Sequence, residues 1–319
     1  MLQSGQIHGE PLAMSLDPTA AFILGALQKQ GVKSFEQMSI AEARAVIDTF
    51  PQLQNPPEDV ARVEDHVLDG VPLRVYVPNE ASGAALLYIH GGGWVGGHLG
   101  VCDEPARALA NETGATVIAT SYPLAPEARF PAQPDAVFAA LQWLHEQAPR
   151  LGLDPQRVAI VGDSAGGNLA AVTAIRARDA GILLAAQVLI YPVIDHRCQG
   201  ASKTECGEGY LITRAAVDWF WEQYLAQPED IENPLASPLN AARLAGLPPA
   251  LVLTAEYDPA RDEGIEYARA LRESGVTVEH VALDGLIHGT FWMSAAIPRS
   301  CEVMEAIGDF LDERLSGAG

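Results

Sequence analysis

The sequence predicts an α/β fold, a mostly parallel sheet with helices on both faces. Three observations carry that expectation. From residue 84 onward, short all-apolar runs alternate with segments of helical period, and strands buried on both faces between helical crossovers build a parallel sheet. A Gly-x-Ser-x-Gly stretch, Gly162 to Gly166, stands where one such strand hands over to a helix. The alternation fails in two places, residues 1–55 and 196–245, which therefore read as additions to the repeating core.

In chain order, residues 18–29 place Phe22, Ile23 and Leu27 on one helical face, and residues 40–50 do the same with Ile40, Ala43, Val46, Ile47 and Phe50. Val67 to Val77 alternates like two strands around a turn at Asp69-Gly70. Ala84–Ile89 is a short apolar strand that stops at a glycine cluster. Strands follow at Thr116–Thr120, Val158–Val161 and Ala186–Tyr191, with helices at Ala136–Gln147 and Asn168–Arg178. The 196–245 segment carries one helix with Val217, Phe220, Trp221, Tyr224 and Leu225 on a stripe. An insertion between sheet strands commonly covers a site. Leu251–Ala255, Arg261–Glu273 and Val276–Val281 read as strand, helix and strand, and residues 299–315 as a last helix.

The chain has 319 residues and a net charge of −21, with three lysines beside 17 arginines. So acidic a chain lacks the basic footprint that nucleic acid or anionic membrane requires, and the charge reads first as a means of staying soluble. The 13-residue apolar run Ile182–Ile194 is too short to span a bilayer and reads as a buried strand. Gln, His and Glu near the N-terminus do not form a signal peptide, so a cytoplasmic location is expected. The four cysteines form no metal or redox motif and are expected as thiols, with a Cys198–Cys206 bridge left open. Asn111-Glu112-Thr113 matches a glycosylation sequon by coincidence.

The Gly162-Asp163-Ser164-Ala165-Gly166 stretch has the strand–turn–helix setting of a nucleophile elbow. A sharp turn there projects Ser164 from the carboxyl end of the sheet, over a helix N-terminus that favours negative charge. His90-Gly91-Gly92-Gly93-Trp94 follows a strand, and acyl transfer needs converging backbone N–H donors for its oxyanion. Gly92, Gly93 and Ala165 are the expected donors, with Gly91 ranked behind them. His90 sits where the loop must fold and reads as a structural hydrogen-bonder. Of the histidines late in the chain, His280 falls inside a strand pattern. His288 lies in the loop Asp284-Gly285-Leu286-Ile287-His288-Gly289 and is the expected base. Among Glu256, Asp258, Asp262, Glu263 and Asp284, Asp258 is the expected acid, because Pro259 stops the strand there and starts a helix.

Together these residues resemble the hormone-sensitive lipase family of α/β-hydrolases, bacterial esterases with an HGGG signature. Leu124-Ala125-Pro126-Glu127, Gly167-Asn168, Tyr191-Pro192, Glu208-Gly209-Tyr210, Asp258 to Gly264 and His288-Gly289 extend the match. It runs from about residue 60 to the C-terminus. The resemblance implies an eight-stranded, mostly parallel sheet and a helical cap. Residues 1–55 and 196–245 would form that cap, and residues 56–195 and 246–319 the catalytic core. It also implies supporting roles for His90, Asp163 and Asn168. Two departures stand out: Pro123 occupies a position usually held by arginine, and Thr290 separates His288-Gly289 from Phe291.

The expected chemistry is serine carboxylesterase action on small neutral esters of short to medium chain, with no metal or organic cofactor. Deacetylase, lactonase or amidase action by the same triad is the alternative, and a non-catalytic small-molecule binding module a remote one. Neither nucleic acid nor stable membrane insertion is expected. A homodimer is compatible with the resemblance.

Overall fold

The computed structural model describes residues 15–316. The sheet begins with a hairpin. β1 (Arg62–Leu68) and β2 (Val71–Val77) pair antiparallel across the turn at Asp69-Gly70. Upstream lie α1 (Pro18–Lys29), α2 (Ile40–Ile47) and a 3₁₀ turn, Phe50–Leu53. Asp17 caps α1 and Ser39 forms a capping box with Glu42, which satisfies free N–H groups at both starts. Lys29 and Lys33 are exposed on this segment, and Lys33 pairs with Glu42 at 3.3 Å. Phe22 departs from expectation: the buried stripe of α1 is Ala20 and Ile23, and Phe22 is 78% exposed.

The core continues with β3 (Ala85–Ile89), α3 (Asp103–Thr113), β4 (Thr116–Thr120), α4 (Ala132–Leu151), β5 (Val158–Asp163), α5 (Ala165–Ala180) and β6 (Ala186–Ile190). After β6 come the short α6 (Ser202–Glu205) and α7 (Arg214–Tyr224). The chain closes with β7 (Ala250–Tyr257), α8 (Arg261–Glu273), β8 (Val278–Ile287) and α9 (Cys301–Leu315). The eight strands run in the order β1-β2-β4-β3-β5-β6-β7-β8. β2 is antiparallel to both its neighbours, and β4 to β8 are parallel. Every residue of β3, β4, β5 and β6 is buried, which requires cover on both faces. α3 packs on α9 and α4 on α5 to provide it.

Three expectations need correction. α3 was not read from the sequence: its buried face is Ala106, Leu109 and Ala110, with Glu104 and Pro105, too small a set of side chains to stand out as a stripe. The apolar run 182–194 yields a strand only over Ala186–Ile190. β8 does not end at Val281 but runs on through Asp284-Gly285 to Ile287. A register shift near Ala255 absorbs the irregularity. The Glu256 carboxylate accepts from Gly285 N–H at 2.6 Å, and the Gly285 carbonyl accepts from Asp17 N–H at 2.9 Å.

All four cysteines are free, so Cys198 and Cys206 are not bridged. Lys203 on α6 is buried, its ammonium donating to the His196 carbonyl at 2.6 Å. Among the described residues, no helix is long and apolar enough to cross a membrane.

Candidate active site

β5 ends at Asp163, and α5 starts at once with Ser164 as its N-cap residue. Ser164 sits at φ 56°, ψ −120°, a region that costs a non-glycine residue about 1–3 kcal/mol unless its surroundings enforce it. They do. The Ser164 N–H donates to the Ile190 carbonyl of β6 at 2.9 Å. The glycines on either side leave room for the turn: a Cβ at Gly162 would lie 2.2 Å from the Gly166 carbonyl oxygen, and one at Gly166 would lie 2.1 Å from that of Ile89.

Asp258 and His288 leave the carboxyl ends of β7 and β8, beside the turn at the end of β5. His288 follows the strand directly rather than lying in a long loop. Ser164 Oγ is 2.8 Å from His288 Nε2, and His288 Nδ1 is 2.7 Å from Asp258 Oδ2. The carboxylate can only accept, so Nδ1 carries the proton and Nε2 is left to accept from the serine. Asp258 is fully buried, and its Oδ1 accepts from Ala260 N–H at 2.8 Å. The Tyr191 ring packs against the imidazole at 4.7 Å, and its hydroxyl accepts from Phe291 N–H at 3.1 Å.

The rival residues are occupied elsewhere or stand apart. Asp262 accepts from Ser202 N–H, Glu263 from Ile194 and Asp195 N–H, and Glu256 from Gly285 N–H. Asp284 is exposed, and His280 bonds Thr254 Oγ1 within the sheet. Burial pushes the Glu263 carboxyl up to about 8 against the two N–H groups that favour its charge.

The glycine loop follows β3. His90 is buried, stacked on Tyr122 at 4.5 Å, and its Nδ1 lies 2.7 Å from the Gly91 carbonyl. Burial pushes it down to about 4, so it stays neutral and structural. Gly91 N–H is already donated to Asp163 Oδ1 at 3.2 Å. Gly92 and Gly93 adopt φ 105° and 61° and face the same cleft as Ser164 and His288. Ala165 is the first residue of α5, where backbone N–H groups have no intrahelical partner. Asp163 is buried and pushed up to about 7 by desolvation, while accepting from Tyr88 at 2.9 Å. Asn168 Nδ2 donates to the Ala236 carbonyl at 2.8 Å, tying α5 to the insertion.

Above Ser164 lies an apolar cleft. Phe35, Ile47 and Phe50 line it from the N-terminal segment, and Leu211, Val217 and Phe220 from the insertion. The space inside it open to a water-sized group is about 70 Å³. Of the aromatic residues singled out in the sequence, Phe220 lines this cleft. Trp221 and Tyr224 are buried with Trp94, Trp219 packs on Phe220, and Phe22 faces solvent. The two segments meet through Phe35 and Phe220 (5.2 Å) and through Ser34 and Thr213 (3.1 Å). Sequence reasoning missed Arg44, whose guanidinium donates to the Val95 and Ala125 carbonyls and pairs with Glu127, fastening α2 beside the glycine loop. It also missed Tyr88 and Trp292, which no local pattern marks. The nearness of Trp292 to His288 in sequence was the one available hint.

The family profile described as the alpha/beta hydrolase fold matches residues 86–292. The chain belongs to this family. The α/β-hydrolase is 41% identical over 251 residues to an ethyl acetate hydrolase of Pseudomonas putida, covering 77% of this chain and 79% of the relative. It is 34% identical over 297 residues to an arylesterase of Saccharolobus solfataricus, covering 91% and 97%. Among solved structures, a hyperthermophilic esterase from Pyrobaculum calidifontis superposes with a TM-score of 0.88 at 37% identity, covering 94% of this chain and 99% of that one.

Proposed function

We propose that this carboxylic ester hydrolase works through an acyl-enzyme on Ser164. His288 takes the serine proton as Oγ attacks the ester carbonyl. Asp258 holds the imidazole tautomer and stabilises the imidazolium. The N–H groups of Gly92, Gly93 and Ala165 receive the oxyanion, one such donor being worth about 3–4 kcal/mol. His288 then protonates the leaving alcohol, and water repeats the sequence on the acyl-serine. The observation that carries this reading is the unbroken chain from Asp258 Oδ2 through His288 to Ser164 Oγ at 2.7 and 2.8 Å.

The two segments over the cleft act as a cap, and the narrow apolar space beneath them fits small neutral esters of short to medium chain. The net charge of −21 slows the approach of anionic esters, an effect that salt weakens. A chain-length series of p-nitrophenyl esters tests the substrate range: an optimum at acetate to hexanoate supports it, and one at palmitate overturns it. Ser164→Ala tests the mechanism, with a loss of about 10⁴-fold or more in kcat expected and near-full activity fatal to it.

A further inference from the structure

Two consecutive peptide planes of the glycine loop are held, the first at both its edges and the second at its carbonyl, by side chains that the reaction does not consume. In the first plane, the His90 carbonyl accepts from the Tyr122 hydroxyl at 2.9 Å and the Gly91 N–H donates to Asp163 Oδ1 at 3.2 Å. In the second, the Gly91 carbonyl lies 3.2 Å from the same Tyr122 hydroxyl and 2.7 Å from His90 Nδ1. A trans peptide is planar, with its C=O and N–H pointing opposite ways. Fixing the Gly91 carbonyl on Tyr122 and His90 therefore fixes the opposite aim of the Gly92 N–H. That N–H is one of the donors assigned to the oxyanion, so the argument rests on the acyl-enzyme reading above.

We infer that Asp163 and Tyr122 are positioning residues that aim the Gly92 N–H by clamping the two peptide planes before it. The clamp has little freedom. Asp163, Tyr122 and Tyr88 are all buried. A Cβ on residue 91 would lie 2.4 Å from Asp163 Oδ2, so the carboxyl seats against the loop backbone itself. The clamp is also tied to the base. Trp292 Nε1 donates to the Tyr88 hydroxyl at 3.2 Å, and Tyr88 donates on to Asp163 Oδ1 at 2.9 Å. An indole can only donate, so the direction of this relay is fixed. Trp292 stands shortly after His288, so the nucleophile's turn, the glycine loop and the base's loop converge on one carboxyl oxygen. The tie requires an acceptor at Oδ1, which a carboxylate, a carboxylic acid and a carboxamide all present.

The test compares Tyr122→Phe, Asp163→Ala and Asp163→Asn in the full chain, on an activated short-chain ester, with folding checked by thermal melting. Tyr122→Phe and Asp163→Ala are expected to lower kcat about ten- to a hundredfold, a part of what losing a whole donor costs, with KM within threefold. Affinity for a trifluoromethyl ketone, whose adduct carries the oxyanion, falls by the same factor. Asp163→Asn recovers kcat to within about threefold of the parent. Because both groups act on the aim of the same Gly92 N–H, one through the Gly91 N–H and the other through the carbonyls, the double variant Tyr122→Phe/Asp163→Ala loses less than the product of the single losses.

The inference is overturned if both single variants keep kcat within twofold, if kcat falls while ketone affinity does not, or if Asp163→Asn is as impaired as Asp163→Ala. Should Asp163→Ala fail to fold, Tyr122→Phe carries the test alone, since it removes one oxygen and keeps the ring. An active Ser164→Ala would instead sink the acyl-enzyme reading itself, so the two failures are told apart.

Discussion

The floor of the cleft and its roof are built on different principles. The floor is backbone held by hydrogen bonds: Ser164 N–H on Ile190, Gly91 N–H on Asp163, and the Gly91 carbonyl against Tyr122. Gly162 and Gly166 leave no space there even for a methyl group. The roof is side-chain packing, with Ile47, Leu211, Val217 and the Phe35–Phe220 pair drawn from segments far apart in sequence. The floor sets the reaction, since positioned donors and a positioned base tolerate little displacement. On the proposed reading the roof selects which substrates reach it, because apolar contacts are non-directional and can be trimmed.

The sharpest way to break this contrast is at the floor. Asp258→Asn keeps the shape but supplies a donor where the imidazole needs an acceptor. A fall in kcat of about 10⁴-fold is expected, measured by steady-state kinetics with the melting temperature little changed. A loss below tenfold would mean that the buried carboxylate does not orient His288.

At the roof the expected effect is smaller and different in kind. The Phe220 ring stands over Gly93, where an added Cβ would lie 2.2 Å from the ring. Phe220→Ala is expected to move the acyl-chain optimum upward, with kcat on the best substrate within about tenfold of the parent, because one apolar group is worth roughly 1–3 kcal/mol of discrimination. An unchanged chain-length profile would remove Phe220 from substrate selection.

The mildest effect is at the joint between the two. Glu263 holds Ile194 and Asp195 N–H, where the insertion leaves β6. Its carboxyl is pushed up to about 8 in the folded protein, from an ordinary value of 4.5. The stability it contributes is therefore present in full below the ordinary value, and is lost as pH rises through the folded one. Asp163, pushed up to about 7, has the same sign. Melting temperature is thus expected to fall as pH rises from about 4 to about 8 and to level off above that. Glu263→Gln should flatten that slope without moving the optimum of chain length. A slope identical to the parent's would show that Glu263 does not titrate in this range.

The same contrast explains what the sequence revealed. The turn around Ser164 is local: a strand, two glycines and a helix start lie within a few residues, and the spacing alone declares them. Asp258 and His288 were legible because each follows a strand end, and Pro259 marks one of them. The run of β8 through Asp284-Gly285 was not legible, since its partners are Glu256 and Asp17, brought in by the fold. Nor was α3, whose alanine-rich face buries little that periodicity can register. Arg44, Tyr88 and Tyr122 act through carbonyls, a carboxyl and an indole supplied by other elements. A single chain read in order holds no trace of such pairings.

The scarcity of lysine turns the N-terminal segment into a chemical address. With Lys203 buried against the His196 carbonyl, the ε-amines exposed to reagent are Lys29, at the end of α1, and Lys33, which pairs with Glu42 of α2. A fluorophore directed at lysine ε-amines is thereby delivered to the N-terminal segment and spares the floor. The buried tryptophans Trp94 and Trp221 then serve as fixed donors from which the distance to the dye is measured.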